Sequence, residues 1–255
     1  MTDESGSGLQ NLAGKAAGEL AEPLRFLGGV VGVWLFLVTF IFAAFHIPSM
    51  SMQPNLEVGD RVLVSKFAYG YSRHSLPLGL GYALPDSWSG RILGSTPPVG
   101  DVVVVRDPNQ GLNLIKRVIG HPGDRIEMRN GRLYINDARI PREPQGTVRY
   151  RNANGVQVEA AVYLETLPNG ATHTIYEESD TATYDNVGPF IVPENHLFLM
   201  GDNRDQSADS RAAMGVGYVH RDEVVGKAWT VLFTFASCRE EEGLHCPPWR
   251  VWRPL

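Results

Sequence analysis

Residues 26–45 of this 255-residue chain read FLGGVVGVWLFLVTFIFAAF, without a charge and with a single hydroxyl, that of Thr39. As a helix this stretch would be about 30 Å long, which matches the hydrocarbon core of a bilayer. A cleaved leader usually has a shorter apolar region, and a buried core helix rarely stays apolar on every face. The stretch therefore predicts a transmembrane helix over residues 26–45, preceded by a tail of residues 1–25.

The distribution of charge is informative about partners but not about orientation. Lys15 and Arg25 precede the apolar stretch, and Arg61 and Lys66 follow it. Two basic residues on each side leave the positive-inside rule without a preference. The net charge of −5, with no long basic run, argues against nucleic acid as the main partner.

The chain after residue 45 is typical of short strands joined by turns. VGDVVVVRD at 99–107 and LNLIKRVIG at 112–120 are rich in β-branched residues. IEMRNGRLYIN at 126–136 has an Asn-Gly pair between two alternating segments, which predicts a hairpin. Residues 140–190 are more polar and suggest an inserted strand-and-loop region. We expect one membrane helix followed by a mostly β domain over residues 46–255.

The segment HIPSMSMQPNLEVGD, residues 46–60, begins where the apolar stretch ends. Most loop serines are ordinary turn residues in contact with solvent. Ser49 and Ser51, however, lie in a stiff, apolar segment with two prolines and two methionines, which is an unusual setting for solvated hydroxyls.

A lysine in the predicted strand LNLIKRVIG is a candidate base. Two-residue periodicity places Lys116 on one face with Leu114 and Val118, and Arg117 on the other with Ile115. One of the two cations must then lie among apolar side chains or at a sheet edge. Burial lowers the pKa of a lysine, whereas arginine keeps its charge. A lysine with a depressed pKa can deprotonate a serine hydroxyl. An ordinary surface lysine is the alternative.

The loop sequence GDNRDQSADSR, residues 201–211, contains three aspartates, two arginines and two serines. A solvated loop is the simplest interpretation. Alternation of Asp with Arg at a spacing of two also suits ion pairs that fix a tight loop.

Taken in order, these segments resemble the bacterial type I signal peptidase family. The matching blocks are IPS-x-SM-x-P, a Gly-Asp pair before a valine-rich strand, IKR-x-x-G-x-PGD and GDNRD-x-S-x-DSR, across roughly residues 45–235. The resemblance implies that Ser51 is the nucleophile and Lys116 the general base. It further implies that the Ser49 hydroxyl joins the Ser51 N–H in the oxyanion hole, and that Ser207 orients the lysine by a hydrogen bond.

The resemblance also implies the surroundings of the site. It gives structural ion-pair roles to Asp202, Arg204, Asp209 and Arg211. It assigns the lining of apolar, shallow substrate pockets to Phe45, Ile47, Val104 and Ile115. The implied fold is an antiparallel β-sheet, barrel-like domain with a variable β insert. No cofactor and no metal would be needed.

Partners and location follow from the same resemblance. The expected partners are preprotein signal peptides, cleaved after an A-x-A-like site, and the lipid bilayer, with interplay with the secretion machinery. The expected location is the inner membrane in a single pass, with the catalytic domain on the periplasmic or outer face. Another Ser/Lys peptidase that cleaves itself and a membrane-tethered binding module without catalysis are the alternatives.

The sequence departs from the family pattern at several positions. Met50 stands between the two serines where many members have glycine. The segment after Arg211, AAMGVGYVH, is longer than the common version, and His220 stands where proline is usual. These departures concern loop conformation and specificity, not the proposed dyad.

The C-terminal region adds two further features. Cys238 and Cys246 predict a disulfide in an exported domain, with a metal site that includes His245 as the alternative. The final residues, PPWRVWRPL, suit either contact with the lipid interface or packing on the domain.

Overall fold

The computed structural model describes residues 22–76, 81, 83, 85, 91–108, 110–235 and 243–255. The chain divides into two compact units, residues 1–41 and 42–255. The described part of the first unit is one helix, α1 (Glu22–Ile41), long and apolar enough to cross a membrane. Its last five residues, Leu37–Ile41, are π-helical. The predicted tail, 1–25, lies mostly outside the described residues.

The predicted end of the helix, residue 45, is wrong. α1 ends at Ile41, and the next five residues form strand β1 (Phe42–His46), which pairs antiparallel with β2 (Asp60–Ser65). Uniform apolarity cannot mark this boundary, because helix and strand both accept the residues Phe-Ala-Ala-Phe. Pairing with β2 decides it, since Phe45 faces the fully buried Val62 across the ladder.

The second unit is built from fifteen strands among its described residues. Besides β1 and β2 these are β3 (Val102–Arg106), β4 (Asn113–Gly120), β5 (Arg125–Arg129), β6 (Arg132–Ile135), β7 (Ala138–Arg139), β8 (Arg142–Arg151), β9 (Gln157–Thr166), β10 (Thr172–Glu177), β11 (Val187–Ile191), β12 (His196–Met200), β13 (Val219–His220), β14 (Val224–Thr234) and β15 (Val251–Pro254). A 3₁₀ turn, Arg221–Glu223, precedes β14.

The strands form three antiparallel sheets. The largest follows the order β1-β2-β14-β3-β4-β12-β13, with β15 on β14. The others are β10-β9-β8 and β11-β5-β6-β7. The prediction of a mostly β, antiparallel chain with one N-terminal apolar helix is confirmed.

The predicted Asn-Gly hairpin joins β5 to β6. Asn130 and Gly131 both have positive φ, 47° and 66°, as the tight two-residue turn requires. Arg129 pairs with Arg132 at the turn, and Met128 pairs with Leu133, both of which are buried. The hairpin therefore faces the core with alternate residues.

The region predicted as an insert, 140–190, contains a sheet of its own. β8, β9 and β10 pair only with one another in the described ladders, whereas Val187–Ile191 pairs with β5. The limits of the insert stay a prediction. Its sheet is not peripheral, since it supplies the buried residues Glu165 and Glu177.

Candidate active site

Ser51 lies in the turn between β1 and β2 and is 5% exposed. Pro48 and Pro54 interrupt strand pairing on either side of it, since proline has no N–H to donate. The fully buried side chain of Met52 anchors the turn in the core. The carbonyl oxygen of Ser51 accepts a hydrogen bond of 3.1 Å from the backbone N–H of Asn203. The loop at 201–211 therefore supports the Ser51 turn through this hydrogen bond.

Lys116 lies on β4, which is central in the large sheet between β3 and β12. It is 4% exposed. Its Nζ lies 2.7 Å from the Ser51 Oγ and donates a hydrogen bond of 2.9 Å to the carbonyl oxygen of Ile115. Two groups predicted from widely separated segments thus meet within hydrogen-bond distance.

Lys116 and its neighbour Arg117 on β4 are both buried, whereas strand periodicity required only one of them to be buried or at a sheet edge. Arg117 forms a bidentate pair with Asp202, at 2.7 Å from Nε to Oδ1 and 2.7 Å from Nη2 to Oδ2. Its Nη1 donates to the carbonyl oxygen of Gly100 at 2.6 Å. Such a fork satisfies a buried guanidinium, which cannot lose its proton.

Burial lowers the pKa of Lys116 from its usual 10.5 to about 8. The carboxylates of Asp209 and Asp202 oppose this fall, and the guanidinium of Arg211 adds to it. The neighbouring Arg117 adds no net like charge, because Asp202 neutralises it. At pH 7 about one molecule in ten then carries a neutral lysine.

The two other serines differ in their relation to the dyad. The Ser49 Oγ is exposed and lies 3.3 Å from the Ser51 Oγ. The Ser207 Oγ is buried and makes no hydrogen bond to Lys116 within the described ranges; it interacts instead with the Asp209 carboxylate, whose pKa it helps to lower. Ser207 nevertheless lies near the Ser51 turn. Its side chain and the Ser51 carbonyl both pack against Gly201, where a Cβ would collide with them.

The ion-pair residues of the 201–211 loop are all buried, but only one pair follows the spacing of two. Asp209 binds Arg211 through both carboxylate oxygens, each at 2.9 Å. Asp202 pairs with Arg117 instead, and Arg204 pairs with Glu165 of β9. The reason is that Asp202 and Arg204 lie on a segment that joins two sheets, so their partners come from outside the loop.

The residues predicted to form substrate pockets lie in one apolar cluster. Ile47, Val104 and Ile115 are buried together with Met52, and Phe45 packs against them half-buried. Ile115 is the direct neighbour of Lys116 in the chain. Met52 and Ile115 place this cluster next to Ser51 and Lys116 along the chain, and both members of the dyad are buried, which is consistent with the desolvation of the lysine.

Two residues at the site escaped the pattern analysis. The side chain of Asn55 donates to the Asp202 carboxylate at 2.8 Å and to the Thr174 carbonyl at 2.7 Å. Glu165 neutralises the buried Arg204. The available signal for Glu165 was its charge in the strand AAVYLET, but nothing local identifies its partner.

Met50, the departure between the two serines, has a packing partner. It lies against the apolar cluster of Tyr150, Ala160 and Tyr176, which belongs to the sheet β8–β10. A glycine could not make this contact. The methionine therefore helps to fasten the Ser51 turn to the second sheet.

Of the predicted disulfide, Cys246 is disulfide-bonded, whereas Cys238 lies outside the described residues. The alternative metal site with His245 is not supported, because the imidazole lies 3.4 Å from the carboxylate of Glu57 instead.

Comparisons with known proteins identify the family of the chain. Residues 20–233 match the family model described as signal peptidase, peptidase S26. Signal peptidase I of Rickettsia typhi is 35% identical over 212 residues, covering 80% of this chain and 77% of the relative. Signal peptidase I of Rickettsia canadensis is 36% identical over 224 residues, covering 84% of this chain and 80% of the relative.

Among solved structures, a signal peptidase I from Enterococcus faecalis is 26% identical, covering 52% of this chain and 97% of its own, with a TM-score of 0.31. The chain belongs to the signal peptidase family of serine endopeptidases described as peptidase S26.

Proposed function

We propose that this protein removes N-terminal signal peptides from exported preproteins, cutting after an A-x-A-like site with Ser51 as nucleophile and Lys116 as general base. The observation that carries the proposal is the distance of 2.7 Å between the Lys116 Nζ and the Ser51 Oγ in a buried, apolar setting. Membership of the family supports the substrate class.

The proposed reaction is acyl transfer. Neutral Lys116 takes the proton of the Ser51 hydroxyl as its oxygen attacks the scissile carbonyl. The oxyanion accepts hydrogen bonds from the Ser51 N–H and the Ser49 hydroxyl, and a lost donor of this kind typically costs about 3 kcal/mol. The lysine then protonates the leaving amine, and the same base activates water to hydrolyse the acyl-enzyme. The residues present suffice for each proton transfer.

The apolar cluster beside the dyad supports a preference for small residues near the cut. Ile47, Val104 and Ile115 pack in one cluster with Met52, the neighbour of Ser51, and Phe45 packs against it. Such a surface favours small, uncharged substrate side chains over large or charged ones.

We also propose that the protein spans the inner membrane once through α1, with residues 46–255 on the periplasmic or outer face. Support comes from the apolar helix and from an aromatic surface formed by Phe42, Phe67, Trp229 and Trp252. Trp229 is 48% exposed and Trp252 is 60% exposed although their rings are in contact. Exposed tryptophans favour the lipid interface, where a preprotein's signal segment also lies.

The test is cleavage of an A-x-A peptide by the full-length protein in detergent. We expect Ser51→Ala and Lys116→Met to abolish cleavage while both remain folded by circular dichroism. Ser95→Ala, at an exposed serine, is the matched control. Normal turnover by Ser51→Ala would refute the mechanism. Cleavage of the chain itself but not of the peptide would favour a self-cleaving peptidase, and no cleavage at all a binding module.

A further inference from the structure

Three carboxylates converge at a place that the proposed reaction does not use. Glu177 ends β10, Asp185 lies in the connection to β11, and Asp205 lies in the 201–211 loop. One oxygen from each lies within 4.8 Å of the other two. Glu177 is 3% exposed, Asp185 is fully buried, and Asp205 is half-buried. We call these three residues the carboxylate cluster.

Two members of the cluster are held by one oxygen and leave the other without a partner. The Glu177 Oε2 accepts from Arg142 Nη1 at 3.3 Å, and the Asp185 Oδ2 accepts from the Ala182 N–H at 2.6 Å. The Glu177 Oε1 and Asp185 Oδ1 are buried without a hydrogen-bond partner among the residues that the structure describes. A buried carboxylate oxygen without a partner is strongly unfavourable, so a ligand is the natural complement.

Asp205 is positioned in the same way. Its Oδ2 accepts from the backbone N–H groups of Glu178, at 2.6 Å, and Ser179, at 3.2 Å. These bonds bring the loop at 201–211 against the end of β10. Each of the three carboxylates is thus held by at least one hydrogen bond, and Glu177 and Asp185 each keep one buried oxygen without a partner among the described residues.

The two arginines near the cluster also bind acids outside it. Arg142 Nη2 binds Asp180 at 2.6 Å, and Arg204 pairs with Glu165. Among the described residues, the cluster forms one ion pair, that of Glu177 with Arg142 at 3.3 Å.

We propose that the carboxylate cluster binds a structural Ca²⁺ ion. Calcium takes oxygen ligands in flexible geometry, including carboxylates from separate chain segments, and completes its shell with carbonyl oxygens and water. A bound ion would tie β10, the 178–186 connection and the 201–211 loop together. The same loop donates the Asn203 N–H to Ser51, so the ion would stabilise the support of the site without touching substrate.

The experiment is calorimetric titration of CaCl₂ into the full-length protein in detergent after treatment with a chelator. We expect one Ca²⁺ per chain and, at saturation, a rise in Tm of roughly 5 °C. Asp185→Asn should weaken binding at least tenfold. Glu143→Gln, at an exposed carboxylate on β8, is the matched control and should bind as the wild type does.

Binding is the readout, so the result does not depend on the proposed substrate. If Asp185→Asn does not fold, Glu177→Gln replaces it, because glutamine can retain an oxygen towards Arg142 while losing the charge. Absence of Ca²⁺ uptake by the chelated wild type would overturn the proposal. Equal binding by the wild type and by the folded cluster variants would overturn it as well.

Discussion

Replacement of Lys116 by methionine should remove activity and, at neutral pH, stabilise the fold. A buried lysine with a lowered pKa destabilises the folded state at every pH at which the lysine of the unfolded chain is protonated. Methionine fills a similar volume and has no charge to desolvate. The proposed base therefore opposes folding, as active-site groups often do.

The fall in the pKa of Lys116 from 10.5 to about 8 sets the magnitude. At pH 7 it corresponds to about 3 kcal/mol of lost stability. The substitution also removes hydrogen bonds to the Ser51 Oγ and the Ile115 carbonyl, which costs about 1–2 kcal/mol. Desolvation is the larger effect, so we expect a net gain of about 1–2 kcal/mol at pH 7.

The sign reverses with pH. Because the folded pKa lies below the unfolded one, the folded protein binds fewer protons between about pH 8 and 10.5, and wild-type stability rises through that window. At pH 10 the penalty has fallen to about 1 kcal/mol. The advantage of the methionine variant should therefore disappear or become a small loss at pH 10.

Urea unfolding in detergent, followed by tryptophan fluorescence at pH 7 and pH 10, measures both differences. Lys227→Met is the control for loss of a positive charge, since Lys227 is only partly buried and pairs with Asp101 at 2.8 Å. A Lys116→Met variant that is less stable than the wild type at pH 7 would refute the reasoning. A stability difference that does not change between the two pH values would refute it too.

Three further expectations concern catalysis and orientation. The kcat/KM of the wild type should rise with pH through a limb near 8, because neutral Lys116 is the active form, and a limb near 10 would contradict this. Lys116→Arg should be inactive, whereas Arg117→Lys should still cleave. Ser49→Ala should keep KM but lose roughly 10²- to 10³-fold in kcat, and wild-type turnover would exclude Ser49 from the oxyanion hole. Protease added to spheroplasts should digest residues 46–255, and survival of that domain would place it on the opposite face.

The antiparallel β domain could be predicted because its signals are local. The Asn130-Gly131 turn and the β-branched runs act through neighbouring residues, and they determine strands wherever they occur. The meeting of Ser51 with Lys116 required more than local pattern, and it was implied by the order of the motif blocks.

Other parts of the site could not be predicted because their partners are distant in the chain. Arg117 binds Asp202, which lies 85 residues further along the chain, and Arg204 binds Glu165 in another sheet. Local periodicity indicates which face of a strand a side chain occupies, but it does not identify the acidic residue that pairs with it. The predicted end of α1 was wrong for a related reason. In a uniformly apolar run, only pairing with β2 distinguishes strand from helix.

The hydrogen bond from the Asn203 N–H to the Ser51 carbonyl has a consequence for the time course of synthesis. A ribosome releases Ser51 and Lys116 long before it releases the loop that supports the serine turn. Until that loop arrives, the lysine lacks Asp209 and Arg211 in its surroundings and the turn lacks its support. An unfinished or truncated chain should therefore have no proteolytic activity, and the cell would be protected from a protease that is only partly made.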